Sequence, residues 1–581
     1  MINLTINGKP VQVREGTTVL AAARQANIEI PTLCYLKELN CIGACRVCVV
    51  EQCSPRGSRL IAACVYPCEE GMEIKTNSAM ARHSRKTTLE LLLSNHKKKC
   101  LSCPRSQNCE LQKLALEYGC DEDAFFSDDL NEPLDTSSPY LVRDNNKCIN
   151  CRRCIAACTN MQSVGAIGMN ERGFASHVGA AFDREIMNTS CVGCGQCIVA
   201  CPVGALSEKS NVQRVWDAIS DPDKKVVFFS APAIRATLGE EFGMPIGTNV
   251  EGKLSPAIRG LGADASFDMD VTADLTILEE ATELVTRLKN GGKTPMFTSC
   301  CPGWVKFAEH NYPELLENLS TCKSPQQMFG ALLKTYYCEK HNIDPKDLFV
   351  VSVIPCTAKK FEVEREELTD SGYQDVDVAL TTRELAKMIK ESGIDFANLE
   401  DEEFDNPFDI ASGAGVIFGA TGGVMEAALR TAAYTLDGTK EAIKFTDVRG
   451  RDGIREAKYT VGGVELNVAV ASGLANARKL CEEVKNGESK YQFIEIMACP
   501  GGCINGGGQP INSDSVMNTV DIKSLRQAAI YKEDDAKIEE GLGCSHDSPV
   551  IKTVYDEFFG EPNSHKAHEL LHTTYTKRDL H

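Results

Sequence analysis

Eight of the chain's cysteines stand in two blocks of identical spacing, and this repeat constrains the fold more than any other feature. The blocks span residues 148–158 and 191–201, each reads C-x-x-C-x-x-C-x-x-x-C, and a proline follows the second. This spacing is typical of domains that hold two [4Fe–4S] clusters, each block giving three thiolates to one cluster and its fourth to the other. Zinc sites, the alternative, usually use C-x-x-C pairs. The predicted ligand sets are Cys148, Cys151, Cys154 and Cys201 for one cluster, and Cys191, Cys194, Cys197 and Cys158 for the other.

A second group of cysteines lies near the N-terminus and follows no standard spacing. Cys45-x-x-Cys48 predicts two ligands of one cluster. The C-x4-C-x2-C run of plant-type [2Fe–2S] domains is absent, because only three residues separate Cys41 from Cys45. Local spacing does not decide the other two ligands, for which the candidates are Cys34 and Cys64, with Cys41 and Cys53 as rivals.

A third group combines a histidine with three cysteines in the order His96, Cys100, Cys103 and Cys109. Three thiolates and one imidazole suit either a zinc ion or a [4Fe–4S] cluster. His96 also precedes three lysines, at 97–99, and a lone histidine beside lysines is more often a surface residue. The residues alone leave these alternatives open.

Five more cysteines stand in three segments far apart in the chain: TSCCPGW at 298–304, IPC at 354–356 and MACPGGC at 497–503. Their glycines and prolines allow tight turns around a bulky inorganic group. We expect four or five of these thiols to meet at one cluster. Buried free cysteines are the plainer alternative, but it fits the runs Cys-Cys-Pro and Cys-Pro-Gly-Gly-Cys poorly.

The remaining pattern predicts several domains within the 581 residues. Alternating apolar residues around an Asn7-Gly8 turn, followed by a helix, suggest a β-grasp domain over residues 1–78. Helical segments and the His/Cys group fill 79–136, ending in an acidic linker, and the two-cluster ferredoxin domain fills 137–210. Apolar runs that alternate with amphipathic helices predict a large α/β domain over 211–581.

Charge and hydropathy limit the partners. The chain has 62 basic and 81 acidic residues, a net charge of −19, which opposes binding to nucleic acid. The uncharged run from Ile410 to Met425 is too short to cross a membrane, and the first ten residues lack the features of a secretory signal. We therefore expect a cytoplasmic protein without a membrane partner, whose many thiols serve metal or redox chemistry.

Three segments resemble the signatures of one family. TSCCPGW, PC-x-x-KK (Pro355 to Lys360) and MACPGGCINGGGQP (Met497 to Pro510) occur in the order found in [FeFe]-hydrogenases. The resemblance is to the long, multi-cluster members and covers essentially the whole chain. It implies a multidomain α+β and α/β fold and reversible H2 oxidation and proton reduction at an H-cluster. That cofactor is a [4Fe–4S] cluster joined to a diiron unit with CO, cyanide and a dithiolate bridge.

The resemblance also implies ligands residue by residue. It assigns the cubane of the H-cluster to Cys301, Cys356, Cys499 and Cys503. It assigns one [2Fe–2S] cluster to Cys34, Cys45, Cys48 and Cys64, and one accessory [4Fe–4S] cluster to His96, Cys100, Cys103 and Cys109. With the two clusters of the ferredoxin domain, the implied accessory set is one [2Fe–2S] and three [4Fe–4S].

Other residues that match the family would transfer protons, bind a cyanide or line the pocket. Cys300 would be the acid/base thiol, and Lys359 would bind a cyanide. The implied proton path runs through Glu280, Glu283, Ser320 and Arg287. The implied pocket residues are Ala231, Pro232, Gln326, Phe418 and Met497.

The residue types agree with proton transfer. A thiol ionises closer to neutral pH than a hydroxyl, and burial can raise the pKa of a glutamate toward neutrality. Glu280 and Glu283 are three residues apart in a helical pattern, so they share a face. Without the family resemblance, a solvated acidic helix face is the more common explanation.

The electron partner is predicted from the N-terminal modules, which resemble those of the large iron–sulfur subunit of NADH dehydrogenase. We expect a flavin-containing, NADH-binding iron–sulfur subunit, a small [2Fe–2S] subunit and ferredoxin as second carrier. The alternatives are a stand-alone ferredoxin-dependent hydrogenase, a hydrogen sensor, and a non-catalytic hydrogenase-like iron–sulfur protein. Eight cysteines without an implied role are expected to be small buried residues: Cys41, Cys53, Cys68, Cys120, Cys322, Cys338, Cys481 and Cys544.

Overall fold

The structure, a computed structural model, describes residues 1–55, 57–126, 132–440, 442–450 and 453–579. It begins with the predicted hairpin, in which Asn7 and Gly8 adopt φ angles of 53° and 78°. The strands of this first sheet are β1 (Ile2–Ile6), β2 (Lys9–Val13), β3 (Val49–Ser54), β4 (Gly57–Ala62) and β5 (Glu73–Lys75), and α1 (Val19–Gln25) crosses it. The strand order β2-β1-β5-β3-β4, with β1 parallel to β5, is that of a β-grasp domain.

A helical module follows the sheet. Helix α2 (Ala79–Ser94) begins after Ser78, whose hydroxyl accepts a hydrogen bond from the Ala81 amide at 3.2 Å. Helix α3 (Glu110–Glu117) begins directly after Cys109, so the loop between the helices carries the His/Cys group. Part of the acidic segment predicted as a linker, residues 127–131, lies outside the described residues.

The two cysteine blocks form a small unit closed by its own ends. Strand β6 (Leu141–Arg143) pairs antiparallel with β9 (Leu206–Glu208), and between them β7 (Gly168–Asn170) pairs with β8 (His177–Gly179). Because β6 and β9 are the first and last elements of the unit, their pairing brings the two halves of the repeat together.

Two four-stranded sheets build the largest region. The first consists of β10 (Lys225–Ser230), β11 (Ala265–Asp268), β13 (Leu348–Ile354) and β14 (Val378–Thr381), all parallel, in the order β11-β10-β13-β14. The second consists of β12 (Met296–Phe297), β15 (Gly453–Val461), β16 (Val464–Ser472) and β17 (Phe493–Met497), in the order β12-β17-β16-β15. In the second sheet only β15 runs antiparallel to its neighbour.

Helices cover these sheets, as the apolar strands require. The longer ones are α4 (Val212–Ile219), α5 (Glu251–Gly260), α6 (Asp270–Asn290), α7 (Pro302–Asn311), α8 (Pro325–Leu332), α9 (Thr382–Glu391), α10 (Gly423–Asp437), α11 (Leu474–Lys485), α12 (Ile522–Glu539) and α13 (His565–Leu571). Within the described ranges, no helix combines the length and apolar character needed to cross a bilayer. The fold is thus the predicted multidomain combination of α+β and α/β units.

Candidate active site

Loops from both large sheets meet at the carboxyl ends of their parallel strands. Cys300 and Cys301 follow β12, Cys356 follows β13, and Cys499 follows β17. Ligands of open α/β sheets commonly bind at this edge. A cavity of about 70 Å³ lies here. Its lining includes every residue predicted for the pocket and the cubane, together with Cys300 and Lys359: Ala231, Pro232, Cys300, Cys301, Gln326, Cys356, Lys359, Phe418, Met497, Cys499 and Cys503.

The four predicted ligand thiols face one another around this cavity. Burial raises the pKa of the Cys499 thiol, and the nearby thiols of Cys356, Cys301 and Cys503 raise it further. The Cys301 sulfur accepts a hydrogen bond from the Ala498 amide at 3.5 Å. All 28 cysteines lie within the described residues and none is in a disulfide. Four free sulfur donors around one cavity, one of them buried and three half-buried, fit an iron–sulfur cluster.

Lys359 is held at the cavity by a partner that the sequence analysis missed. Its ammonium group lies 2.8 Å from the Glu362 carboxylate and donates to the Cys300 carbonyl at 3.2 Å. The amide of Gln326 donates to the same carboxylate at 2.9 Å. Glu362 stands three residues after Lys359, a helical spacing that could have indicated the pair. The lysine places a cation beside the cavity, where anionic ligands such as cyanide would be stabilised.

The residues of the implied proton path lie together. Burial raises the pKa of the Cys300 thiol, and the charge of the Glu280 carboxylate raises it further. Further out, the Ser320 hydroxyl donates to Glu283 at 2.9 Å, and Arg287 donates to Glu283 at 2.5 Å. The structure therefore brings together Cys300 and the four residues of the implied path. They extend from the cavity to Arg287, whose side chain is 14% exposed.

Glu280 is not on a solvated face. It is 1% exposed, and one of its carboxylate oxygens is buried without a hydrogen-bond partner. Burial, with a smaller contribution from Glu283, raises its pKa to about 8. A group with this pKa can both take up and release a proton near neutral pH. The alternative of a solvated acidic helix face is therefore wrong for Glu280.

Comparison with known proteins identifies the family. A sequence model described as "Iron only hydrogenase large subunit, C-terminal domain" matches residues 224–507. The NADP-reducing hydrogenase subunit HndD of Solidesulfovibrio fructosivorans is 47% identical, over 100% of this chain and 99% of that one. The chain belongs to the [FeFe]-hydrogenases. Iron hydrogenase 1 of Clostridium pasteurianum is 45% identical over 99% of this chain and 100% of its own length.

A solved structure supports the assignment. The [FeFe]-hydrogenase HydA1 of Chlamydomonas reinhardtii is 42% identical with a TM-score of 0.56, and covers 64% of this chain and 99% of its own. [FeFe]-hydrogenases are oxidoreductases that act on H2. Further models match a 2Fe-2S iron-sulfur cluster binding domain at 1–79, the NADH-ubiquinone oxidoreductase-G iron-sulfur binding region at 85–124, a 4Fe-4S dicluster domain at 147–205 and the iron hydrogenase small subunit at 520–578.

In this hydrogenase, four thiols meet in the β-grasp domain. The Cys34 thiol contacts those of Cys45 and Cys64, and the Cys48 thiol also contacts that of Cys64. Of the rival ligands, Cys41 is exposed and donates to the carbonyl oxygen of Cys64 at 2.7 Å. The other rival, Cys53, is half-buried in β3.

The eight cysteines expected to be small buried residues differ in how far they are buried. Burial is confirmed for Cys68, Cys322, Cys338, Cys481 and Cys544. It is wrong for the exposed Cys41, and Cys53 and Cys120 are only half-buried. Cys322 is also more than a packing residue, because its thiol lies 3.7 Å from the Glu283 carboxylate.

The fourth thiol of each block lies among the thiols of the other block, the arrangement that the predicted ligand sets require. Burial raises the pKa values of Cys148, Cys151 and Cys154, and the nearby Cys201 thiol raises them further. In the same way, Cys191 raises the pKa of Cys158 in the opposite block. Each group of three thus receives its fourth neighbour from the other repeat.

The ferredoxin unit touches the active-site loops directly. The Cys499 thiol lies 3.9 Å from the carbonyl oxygen of Cys194. A Cβ atom added to Gly507 would come within 2.3 Å of the same carbonyl oxygen. Only glycine fits there, which explains one of the glycines in the segment INGGGQP.

His96 has the environment of a ligand rather than of a surface residue. Its Nδ1 atom is buried without a hydrogen-bond partner. Burial, aided by the nearby cation of Lys147, lowers its pKa to about 4, so the ring is neutral and can donate a lone pair to a metal. On the same module, Cys103 packs against Gly204, where an added Cβ atom would lie 2.4 Å from the sulfur.

We expect His96→Cys to lower the reduction potential of one accessory cluster by on the order of 100 mV, because an anionic thiolate replaces a neutral imidazole. A redox titration followed by electron paramagnetic resonance measures the change. His83→Cys, the same substitution at an exposed position of α2, is the control. If no centre shifts in His96→Cys, His96 is not a ligand.

Proposed function

We propose that this chain is the catalytic subunit of an NAD(P)-linked hydrogenase complex. The observation that carries the proposal is the whole-length similarity to the NADP-reducing hydrogenase subunit HndD. The accessory modules matched at 1–79 and 85–124 are consistent with additional electron-transfer partners. Since NAD(P)+ is a cytoplasmic cofactor and the described thiols are unpaired, we infer a cytoplasmic location.

The proposed cofactors are one [2Fe–2S] cluster, three accessory [4Fe–4S] clusters and one H-cluster, about 20 iron atoms per chain. They would occupy the four thiol and histidine groups described above and the active-site cavity. The proposed domains are 1–78, 79–136, 137–210 and 211–581. When bound, the diiron unit of the H-cluster would supply the metal and the bridging base at which H2 is formed or split.

The chain's own residues would move the proton. The Cys300 thiol lines the cavity and exchanges a proton with Glu280, whose raised pKa suits both directions of transfer. Ser320 and Glu283 continue the route, and Arg287 keeps the Glu283 carboxylate fixed at its outer end. Lys359, fixed by Glu362, would hold a cyanide of the cofactor in place.

Electrons would leave along the accessory clusters. The contact between Cys499 and Cys194 links the active site to the ferredoxin unit, and Gly204 with Cys103 links that unit to the His/Cys module. We propose the [2Fe–2S] cluster of the β-grasp domain as the exit toward a flavin-containing, NADH-binding iron–sulfur subunit and a small [2Fe–2S] subunit. Ferredoxin is the proposed second carrier.

Affinity purification from the native cell tests the complex. We expect bound flavin, two further iron–sulfur subunits and H2-dependent reduction of NAD(P)+, while the isolated chain reduces only artificial one-electron dyes. A lone chain with full ferredoxin-linked activity would instead support a stand-alone enzyme.

A variant makes the test sharper. Arg46 is exposed between two of the thiols of the β-grasp cluster. Arg46→Glu should slow NAD(P)+ reduction by the complex about 10-fold by reversing a charge at the proposed contact. Dye reduction by the same variant should be unchanged. Lys9→Glu, the same charge change at the β1–β2 hairpin, is the control and should alter neither activity.

A further inference from the structure

Three potential metal ligands meet on a short loop that the proposed function does not use. The loop follows α12 and contains Cys544, His546 and Asp547. The Cys544 sulfur, an imidazole nitrogen of His546 and a carboxylate oxygen of Asp547 all lie within 4.8 Å of one another. Cys544 is fully buried, whereas the Asp547 side chain is 27% exposed, so the group has one side open to solvent.

The imidazole of His546 is the unusual member. Its side chain is 9% exposed, yet both ring nitrogens are buried without a hydrogen-bond partner. The ring of Tyr434, at the end of α10, stacks on it with centroids 3.8 Å apart and planes 12° apart. A buried polar atom without a hydrogen-bond partner destabilises the folded protein.

The two neighbouring ligands are held in position by the backbone. The Asp547 carboxylate accepts a hydrogen bond from the Cys544 amide at 3.1 Å, and the Cys544 sulfur accepts one from the Asp547 amide. A sulfur, an imidazole nitrogen and a carboxylate oxygen together form a donor set typical of zinc, with ligand distances of about 2.0–2.3 Å. Ligands around such an ion lie within about 4 Å of one another, so only a small closure of this loop is needed.

We propose that Cys544, His546 and Asp547 form a binding site for a divalent cation of borderline softness, with zinc as its best probe. Water would take the fourth position, on the exposed side of Asp547. Binding would give His546 the partner it lacks and would release the Cys544 proton.

The position of the site indicates a structural role. Residues 520–578 match the model of the iron hydrogenase small subunit, and the loop lies within this segment. The segment is joined to α10 by Arg430, which donates to the Gly543 carbonyl at 2.8 Å, and by the stack of Tyr434 on His546. A cation bound by this loop would fix His546 against α10 and so strengthen the attachment of the segment to the catalytic domain.

Two other candidate metal sites among the described residues each lack a feature of the group formed by Cys544, His546 and Asp547. Glu283, Cys322 and His572 also lie within 4.8 Å of one another, but both nitrogens of His572 already have partners, Thr321 at 2.8 Å and Glu279 at 3.2 Å. His310, in α7, has two unpartnered nitrogens as well. Among the described residues it belongs to no group of three potential metal ligands, and its neighbours include the cations of Lys306 and Arg578.

Zinc binding to the cluster-loaded protein tests the proposal. Protein with its full iron content is equilibrated with zinc chloride and freed of excess metal, and zinc per chain is measured. We expect one tightly bound zinc ion, with sulfur and nitrogen or oxygen neighbours in X-ray absorption at the zinc edge. His546→Gln and Cys544→Ser should each weaken binding more than about 100-fold, since loss of a mere supporting contact already costs roughly 10–100-fold.

His310→Gln is the matched control and should bind zinc as the parent does. Iron content and dye-linked H2 turnover should be unchanged in His546→Gln, which separates this site from the active site. If Cys544→Ser does not fold, His546→Gln decides alone. The proposal is overturned if the parent retains no zinc, or if His546→Gln retains zinc with the same sulfur neighbour and affinity. Failure here would leave the proposed hydrogenase complex unaffected.

Discussion

Cys300→Ser should reduce H2 turnover by at least about 100-fold, the usual contribution of a positioned acid–base group. The thiol lines the cavity beside Glu280, and a serine hydroxyl in its place is too weak an acid to exchange protons near neutral pH. Because Cys300 is proposed not to bind iron, the CO and cyanide infrared bands of the H-cluster should remain. Dye-linked turnover and infrared spectra of the same sample measure both effects.

Two other serine variants are the controls: one should keep turnover, and the other should damage the cofactor. Cys481→Ser changes a buried thiol in α11 that does not line the cavity, and should keep turnover close to that of the parent. Cys301→Ser should instead damage the cofactor and diminish the infrared bands. Parental turnover in Cys300→Ser would exclude the thiol as the relay.

Glu280→Gln should also reduce H2 turnover by about 100-fold or more. Glutamine has nearly the same shape, but its amide cannot take up and release a proton in the working pH range. Glu279→Gln is the control: this neighbour in α6 is also buried, and it bonds to Tyr555 and His572 rather than to the relay. Comparable losses in both variants would indicate a general disturbance of α6 instead of a broken relay.

The raised pKa of Glu280 also predicts an infrared band that changes with pH. Since burial raises the pKa of this carboxyl to about 8, it is protonated below that pH and ionised above it. The parent should therefore show a carboxylic acid C=O band in infrared difference spectra at about pH 6 that is lost by about pH 10. Glu280→Gln should lack this band at every pH. If the C=O band of the parent protein does not change between these two pH values, the pKa of Glu280 lies outside this range.

Sequence alone was most informative where ligands follow one another at short, regular spacing. In the two cysteine blocks, the spacing already specifies that Cys201 and Cys158 exchange between clusters, because a helical turn and a loop set the geometry locally. It could not select Cys34 and Cys64 over Cys41 and Cys53, since those positions meet only after β3 and β4 pair.

The surroundings of the active site were less predictable for the same reason. The signatures indicated the thiols, but the burial of Glu280 depends on the packing of α6 against segments far away in sequence. Cys544 was expected to be a simple packing residue, because nothing in its spacing shows that Tyr434, more than a hundred residues earlier, covers the adjacent histidine.

The glycine contact at residue 507 has a consequence for electron tunnelling, whose rate falls exponentially with the separation of donor and acceptor. There the ferredoxin unit and the active-site loops approach through main-chain atoms, with no space for a side chain between Gly507 and the Cys194 carbonyl. Main-chain atoms fluctuate less than long side chains, so this gap is nearly constant. Electron delivery across it should then be uniform from one molecule to the next, and any larger residue at 507 would widen the gap in every molecule at once.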